Sequence, residues 1–283
     1  MKLIRLKPPA LAAGSKANAS RCAICHRSLA LRQLTTGKTR ISMHGSYSCS
    51  LACFAAAAEA ELSKLLEMVT VQPEHVARMS LAHILINRGS ITREQFRAGL
   101  DDQKETGEEI GMVLMRLGFV SEAQLTAARA IQWDCPAFAL TSQASLSSVQ
   151  IPEPLIQAYS MIPLHYTRAR NLLLVGFVHS IEYGLLYLIE RMTGHKTEPC
   201  FISMADFQSH LNELNLIQEQ PEVVMQGESK FQPVKTPAEM AQILLDCGAE
   251  GELVEAVIGR CRKFLWARLK FASKDVDFLF NAG

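Results

Sequence analysis

The spacing of apolar residues changes along the chain from helical to strand-like. An Ala-rich run that begins near Ser50, SLACFAAAAEAELSKLLEM, predicts a long helix. Residues 153–214 alternate helical segments with short apolar or β-branched strands, which predicts a small α/β sandwich. The segment that starts at Thr236 predicts one helix, capped by Thr236 and ended by Gly248, followed by three strands. The fold class is therefore predicted to be α+β.

The same pattern predicts the bounds of the individual elements. In the α/β sandwich, the predicted elements are a helix Glu153–Tyr159, strands Met161–Tyr166 and Leu172–Phe177, a helix Ser180–Met192 capped by Ser180 and stopped by Gly194, a strand Lys196–Ile202 and a helix Met204–Leu214. In the C-terminal α-β-β-β unit, the predicted strands are Leu253–Arg260, Phe264–Phe271 and Val276–Phe280.

A tandem repeat occupies the middle of the chain, where residues 81–103 and 110–132 match at an offset of 29. Each copy reads as a short amphipathic helix, a Gly suited to the left-handed conformation, an apolar residue and a capping box. The boxes are Thr92-x-x-Gln95 and Ser121-x-x-Gln124. Each copy is thus a helical hairpin that cannot bury its apolar stripe alone, so the two copies are expected to pack together.

The repeat resembles the N-terminal domain of the traffic ATPases of type II secretion and type IV pilus assembly, the general secretion protein E N-terminal family. In the members of that family that bind cyclic di-GMP, two motifs of the form RLGxxΦΦxxGΦΦxxxxΦxxxΦxxQ are separated by five residues. The corresponding segments here are 80–103 and 109–132, with 104–108 as the spacer. The resemblance implies that cyclic di-GMP would contact motif positions, namely Leu81, Leu85, Gly89, Gln103, Gly111, Leu114, Gly118 and Gln132.

This chain departs from the motif at both of its leading Arg positions. Ser80 stands at the first and Glu109 at the second, and Ala82 replaces the first Gly of copy one. A ligand with two phosphates needs cationic or hydrogen-bonding partners, and Glu109 brings a like charge instead. Whether Arg78, Arg88 or Arg116 compensates is left open by the sequence.

Four cysteines near the start of the chain have the spacing of metal ligands. Cys22-x2-Cys25 and Cys49-x3-Cys53 are separated by 23 residues, and each pair can occupy two positions around a tetrahedral ion. Four thiolates leave no open position, so the predicted cofactor is a structural Zn²⁺. His26 and His44 are neighbours that could replace one of the cysteines as ligands. Cys135, Cys200, His165 and His179 are single residues in apolar contexts, and the prediction for each is an ordinary core or edge position.

The formal net charge of +1 results from two segments of opposite charge. Residues 1–58, which we call the head, are basic, and the rest of the chain, which we call the body, is acidic. Residues 1–58 contain nine Lys or Arg and no Asp or Glu, while the rest of the chain carries 20 basic and 28 acidic residues. A basic head with a zinc site is compatible with nucleic-acid binding, although aromatic residues are few there. It is equally compatible with docking on the acidic body of its own chain. Thr36-Gly37-Lys38-Thr39 lacks the earlier Gly that a phosphate loop requires, because Arg32 stands there.

These patterns predict five segments. They are a four-cysteine zinc-binding module with a long helix at 1–70, a tandem helical repeat at 76–132, a small α/β subdomain at 133–216, a linker at 217–233 and a helix with a short sheet at 234–283. The last segment resembles the start of the family's second domain.

The predicted function follows from the resemblance and from the motifs that are missing. No Walker A loop, Walker B acid or nucleophile elbow is found in the sequence. We therefore expect a cytoplasmic, non-enzymatic adaptor or regulatory protein of type II secretion or type IV pilus-like machinery, with a protein partner and without a membrane span. The alternatives are a cyclic di-GMP receptor and a zinc-dependent nucleic-acid-binding regulator.

Overall fold

The computed structural model describes residues 21–28, 40–67, 78–139, 151–218, 228–232 and 236–281. Helices and strands are mixed along the chain, as the predicted α+β class requires. The chain divides into two compact units, of which the first combines Met1–Val69 with Met225–Gly283 and the second is Thr70–Val224. Thr36-Gly37-Lys38-Thr39, Arg32 and most basic residues of the head lie outside the described residues. No helix among the described residues is both long enough and apolar enough to span a membrane.

Each unit contributes its elements in chain order. The first unit begins with β1 (Ile41–Met43), β2 (Ser46–Ser48) and α1 (Leu51–Glu67). The second unit contains α2 (Leu81–Asn87), α3 (Arg93–Thr106), α4 (Ile110–Arg116), α5 (Glu122–Trp133), α6 (Glu153–Tyr159), β3 (Met161–Thr167), a 3₁₀ turn (Arg168–Arg170), β4 (Leu172–Phe177), α7 (Tyr183–Thr193), β5 (Lys196–Phe201) and α8 (Met204–Gln218). The first unit resumes with β6 (Glu228–Gln232), α9 (Pro237–Gly248), β7 (Leu253–Cys261), β8 (Phe264–Phe271) and β9 (Asp275–Asn281).

A six-stranded sheet forms the first unit, in the order β2-β1-β7-β8-β9-β6. The β1 strand pairs with β7 in parallel, with Ser42 opposite Glu255 and Met43 opposite Ala256. Alternate residues of β7, β8 and β9 point to one face, where α1 and α9 pack together and bury Phe54, Leu244 and their neighbours. The β1–β2 hairpin, which directly precedes Cys49, therefore shares one core with the C-terminal strands.

This pairing changes the expected division of the first unit. Segments 1–70 and 234–283 are separate in the sequence prediction, whereas β1 and β7 join them in one sheet. The predicted linker 217–233 contains the edge strand β6, which pairs in parallel with β9. Both differences have the same cause, because parallel pairing between segments far apart in sequence leaves no local signal.

The second unit places the tandem repeat beside a three-stranded sheet. The sheet has the order β3-β4-β5, with β3 antiparallel and β5 parallel to β4. In the repeat, α2 packs on α5 and α3 packs on α4, so each hairpin covers the other. The apolar residues of both copies meet in one cluster that contains Leu85, Leu114 and Leu125. The expectation that the two copies pack together is confirmed.

One predicted helix start differs from the structure. The α7 helix begins at Tyr183, and the carboxylate of Glu182 accepts the N–H of Gly184, so Ser180 is not its cap. The α9 helix ends at Gly248, as predicted, and Ala249 follows in right-handed conformation. Gly194 does end α7, with a φ of 72°. The other predicted elements are observed with small shifts of their ends.

Candidate metal centre and tandem-motif site

The four cysteines of the head lie together in the structure. The ligand atoms of Cys22, Cys25, Cys49 and Cys53 all lie within 4.8 Å of one another. The Sγ atoms of Cys25 and Cys49 are 3.5 Å apart, and those of Cys49 and Cys53 are 3.8 Å apart. A tetrahedral Zn–S₄ site, with bonds of about 2.3 Å, requires sulfur atoms about 3.8 Å apart. The cluster therefore has the dimensions of a four-thiolate metal site.

The first pair is held by a tight turn. The N–H of Cys22 donates to the Arg27 carbonyl at 3.0 Å, and the N–H of His26 donates back to the Cys22 carbonyl at 3.0 Å. His26 has a positive φ of 57°, which reverses the chain directly after Cys25. The N–H of Ala23 donates to the Tyr47 carbonyl at 2.9 Å and so attaches this turn to β2.

The second pair is positioned by a strand end and a helix start. Cys49 follows β2 directly, and Cys53 lies in the first turn of α1, where its N–H donates to the Ser50 hydroxyl at 3.2 Å. Phe54, the next residue, is fully buried in the core of the six-stranded sheet. The helix that carries Cys53 is therefore anchored by the same core as β7–β9.

The electrostatics of the cluster favour a cation. Burial opposes ionisation of Cys22, but backbone N–H groups of Cys25, Ile24 and Cys49 lower its pKa to about 6. Burial, together with the neighbouring thiols, raises the pKa of Cys49 to about 12. Four adjacent thiolates repel one another, and a divalent ion removes that repulsion. The donor set, its distances and its N–H groups fit a metal ion.

The two histidines considered as substitute ligands lie outside the cluster. The only group of metal-binding side chains found among the described residues consists of the four cysteines. His26 is exposed, and the Nε2 atom of His44 accepts the N–H of Ile258 at 3.4 Å. His44 thus has a structural contact with β7.

The glycines of the tandem motif close the first helix of each copy. Gly89 and Gly118 have φ values of 68° and 72°. The N–H of Ser90 donates to the Leu85 carbonyl and that of Phe119 to the Leu114 carbonyl, the long-range bond of a Schellman motif. Both predicted capping boxes are present, and they start α3 and α5. The internal symmetry of the repeat therefore extends to single hydrogen bonds.

The apolar residues and Gly111 of the motif are used in packing. Leu81, Leu85 and Leu114 are buried in the shared core of the two hairpins. A Cβ atom at Gly111 would lie 2.9 Å from Leu125 Cδ1 and 3.1 Å from an Arg129 nitrogen. The side chains at these positions therefore expose little surface that a ligand could contact.

The closing Gln residues of both motifs bind backbone. The Gln103 side chain donates to the Glu108 carbonyl at 2.8 Å, and the Gln132 side chain donates to the Met79 carbonyl at 3.1 Å. Met79 and Glu108 are themselves equivalent positions of the repeat, 29 residues apart. Each Gln thus fixes the segment that precedes the first helix of a copy.

The second leading position forms an internal ion pair. The Glu109 carboxylate accepts a hydrogen bond from Nη2 of Arg129. Nη1 of the same guanidinium donates to the Val178 carbonyl at 2.8 Å. Arg129 is only 4% exposed, and His179 Nδ1 lies 3.6 Å from the same carboxylate. Burial opposes ionisation of Glu109, but His179 and Arg129 hold its pKa below the usual range. Burial lowers the pKa of Arg129. The sequence did not predict Arg129 or His179 as partners of the motif.

The remaining residues around the motif also have internal contacts. Ser80 caps α2, the guanidinium of Arg116 binds Asp102 and Glu108, and that of Arg78 lies 3.6 Å from the centre of the Trp133 ring. Arg88 is exposed. Of the predicted single residues, Cys200 is buried and donates to the Val175 carbonyl, Cys135 is half-buried, and His165 is exposed on β3.

Comparison with known proteins adds two structural likenesses. No protein-family model matches the sequence, and no curated protein matches it. One match is the structure of MshE with cdg, whose sequence is 21% identical to this one. The match covers 48% of this chain and 99% of the MshE chain, with a TM-score of 0.42. The N-terminal domain of XpsE is 14% identical over 47% of this chain and 91% of that chain, with a TM-score of 0.38. Scores this low do not establish the family of the chain.

Proposed function

We propose that this chain is a non-enzymatic adaptor or regulatory protein of a type II secretion or type IV pilus-like machinery, and that Cys22, Cys25, Cys49 and Cys53 hold a structural Zn²⁺. The machinery is suggested by the tandem motif and its five-residue spacer. The four-sulfur geometry supports the zinc site. Its thiolates would fix the β1–β2 hairpin and the start of α1 around one ion, without an open position for a substrate.

One observation favours the adaptor over a nucleotide receptor. The polar motif positions already bind within the chain, because Gln103 and Gln132 bind carbonyl oxygens and Glu109 binds Arg129. A phosphate that approached Arg129 would have to displace a carboxylate of its own protein, at the cost of that ion pair. We therefore assign the repeat a scaffold role, with partner proteins as its ligands.

Isothermal calorimetry of the full chain with cyclic di-GMP separates the two functions. The adaptor predicts no heat at high micromolar dinucleotide. Binding with a micromolar Kd that is lost in Arg88→Ser, an exposed cation within the first motif, and retained in a control change at the exposed Glu105→Gln, would support the receptor instead. The zinc-dependent nucleic-acid alternative predicts a salt-sensitive DNA shift of the full chain that disappears after chelation.

Cross-linking of the full chain in its native cells tests the adaptor directly. The full chain is required because the head and the C-terminal strands share a sheet, so removal of residues 1–70 would disrupt both. We expect components of a secretion or pilus-assembly machinery among the cross-linked proteins. Their absence, with the bait folded and abundant, would contradict the proposed function.

A further inference from the structure

Two loops at one end of the three-stranded sheet carry a group of exposed cations. The first is the 3₁₀ turn between β3 and β4, which contains Arg168 and Arg170. The second joins α7 to β5 through Gly194 and His195 and leads directly into Lys196, the first residue of β5. All three side chains are exposed. Within the described part of the chain, no ion pair joins any of them to an acidic side chain. We name these two loops, residues 167–171 and 194–196, the basic end.

Asn171 fastens the two loops to each other. Its side-chain amide donates to the Gly194 carbonyl at 3.1 Å, and its backbone carbonyl accepts the N–H of Lys196 at 3.0 Å. Its side-chain oxygen lies 2.7 Å from His195 Nδ1 and accepts the Tyr166 hydroxyl at 3.1 Å. The rings of Tyr166 and His195 are stacked, with centroids 4.2 Å apart. The loops that carry the cations are therefore held in a fixed arrangement.

The basic end contrasts with the charge of the unit that contains it. Residues 70–224 carry eleven Lys or Arg against seventeen Asp or Glu, a formal charge of −6. No Asp or Glu occurs between Glu153 and Glu182, a segment that includes β3, the 3₁₀ turn and β4. The nearest acid on β5 is Glu198, two residues beyond Lys196, and the Glu190 carboxylate of α7 accepts the Thr197 N–H at 2.9 Å. Positive charge is thus concentrated at one place on an acidic unit.

We infer that the basic end binds a short acidic segment of a partner protein. Guanidinium groups bind carboxylates in bidentate fashion, and Arg168 and Arg170 offer two of them on the turn that Asn171 joins to the residues next to Lys196. An extended polyanion such as DNA or an anionic bilayer would also face the acidic surface of the unit and be repelled by it. A short acidic segment feels mainly the local charge, because screening limits its reach to about 8 Å at physiological salt.

This inference rests on the proposed adaptor function and specifies the surface that a partner would use. Because the partner is unidentified, the probe is a short fluorescein-labelled oligoglutamate peptide, added to the full chain at physiological salt. Binding is measured by anisotropy, and a carbodiimide then links peptide carboxylates to nearby lysine amines for mass spectrometry. Two variants are compared, Arg168→Ser/Arg170→Ser and the matched control Arg93→Ser/Arg97→Ser, which removes two exposed cations from α3.

We expect the peptide to be linked to Lys196 more strongly than to Lys104, an exposed lysine on α3. The Arg168→Ser/Arg170→Ser variant is expected to reduce the Lys196 adduct about fivefold, as two exposed charge pairs would, and the control to leave it unchanged. Equal labelling of both lysines, or equal adducts in both variants, would overturn the inference. Stronger binding of phosphatidylglycerol vesicles or DNA through the same two arginines would overturn the choice of a peptide.

The outcomes also separate this inference from the proposed function. If the peptide is linked to Lys196 but no secretion or pilus component is found in the native cross-links, the basic end is supported as an acidic-peptide site and the adaptor function is contradicted. Native cross-links to such components that persist in Arg168→Ser/Arg170→Ser would retain the adaptor and reject the basic end as its surface.

Discussion

Glu109 changes the interactions of the second motif, because its carboxylate forms an ion pair within the chain. At a position where the resembled family has Arg, this chain has an acid, and the cation stands on the neighbouring helix as Arg129. Arg129 is nearly inaccessible and also binds the carbonyl that follows β4. The ion pair therefore holds the start of α4 to α5 and to the end of the small sheet. Its net contribution comes chiefly from keeping a buried guanidinium partnered.

Glu109→Gln is expected to lower the free energy of unfolding at pH 7, because it leaves the buried Arg129 with a weaker partner. The expected loss is only about 1–2 kcal/mol, because the carboxylate is half exposed and therefore partly screened by water. The folded-state pKa of Glu109 lies below its unfolded value of about 4.3. The ion pair thus contributes fully above about pH 4.3 and is lost as the pH falls through the lower folded pKa.

Urea unfolding of both proteins between pH 7 and pH 3 measures this effect. The difference between wild type and Glu109→Gln should shrink at the acid end, while Glu105→Gln, at an exposed position on α3, should differ little from wild type throughout. A difference that stays constant down to pH 3 would show that the carboxylate charge is not what stabilises this site.

At the scale of elements, the tandem repeat was predictable because its signals are local. Capping boxes and left-handed glycines act within one turn of helix, so Thr92, Ser121, Gly89 and Gly118 have the roles that their spacing predicts. The start of α7 was not predictable from Ser180, because Ile181 is buried before the helix and Glu182 caps it, so that the helix begins at Tyr183. Helix ends depend on packing as well as on sequence.

The glycines at the ends of α2 and α4 give a prediction about these helices. Gly89→Ala and Gly118→Ala should each lower the free energy of unfolding by about 1–2 kcal/mol, because an L residue with positive φ is strained. Thermal or urea unfolding of the full chain measures both, with Asn87→Ala on the exposed side of α2 as the control. If the Gly variants were as stable as Asn87→Ala, the left-handed helix ends would be excluded.

At the scale of the molecule, the sequence predicts the parts but not the assembly of the first unit. The four cysteines and the strands β7–β9 are evident from spacing and alternation. The parallel pairing of β1 with β7, which joins Ser42 to Glu255 in register, could not be predicted. More than 200 residues separate these strands in the sequence, and neither the hairpin nor β7 specifies its partner. The cysteine cluster and the C-terminal strands therefore form one structural unit rather than two modules.

Removal of the proposed Zn²⁺ should consequently change the environment of the C-terminal strands. Trp266 on β8 is fully buried, and Trp133→Phe leaves it as the single tryptophan of the chain. Chelation of that variant under reducing conditions is expected to shift Trp266 emission to the red, because the β1–β2 hairpin and α1 lose the ion that fixes them. Re-addition of Zn²⁺ should reverse the shift. An unchanged spectrum after complete metal loss would confine the role of the ion to the head.

The most direct test of the proposed four-cysteine zinc centre is the metal content of the purified full chain. Elemental analysis is applied to the wild type, to Cys22→Ser/Cys49→Ser and to Cys135→Ser, a single-cysteine change outside the cluster. We predict about one zinc per chain in the wild type and in Cys135→Ser, and loss of that zinc in the double variant. A fully folded wild type without stoichiometric metal, or zinc that persists in Cys22→Ser/Cys49→Ser, would contradict the four-cysteine centre.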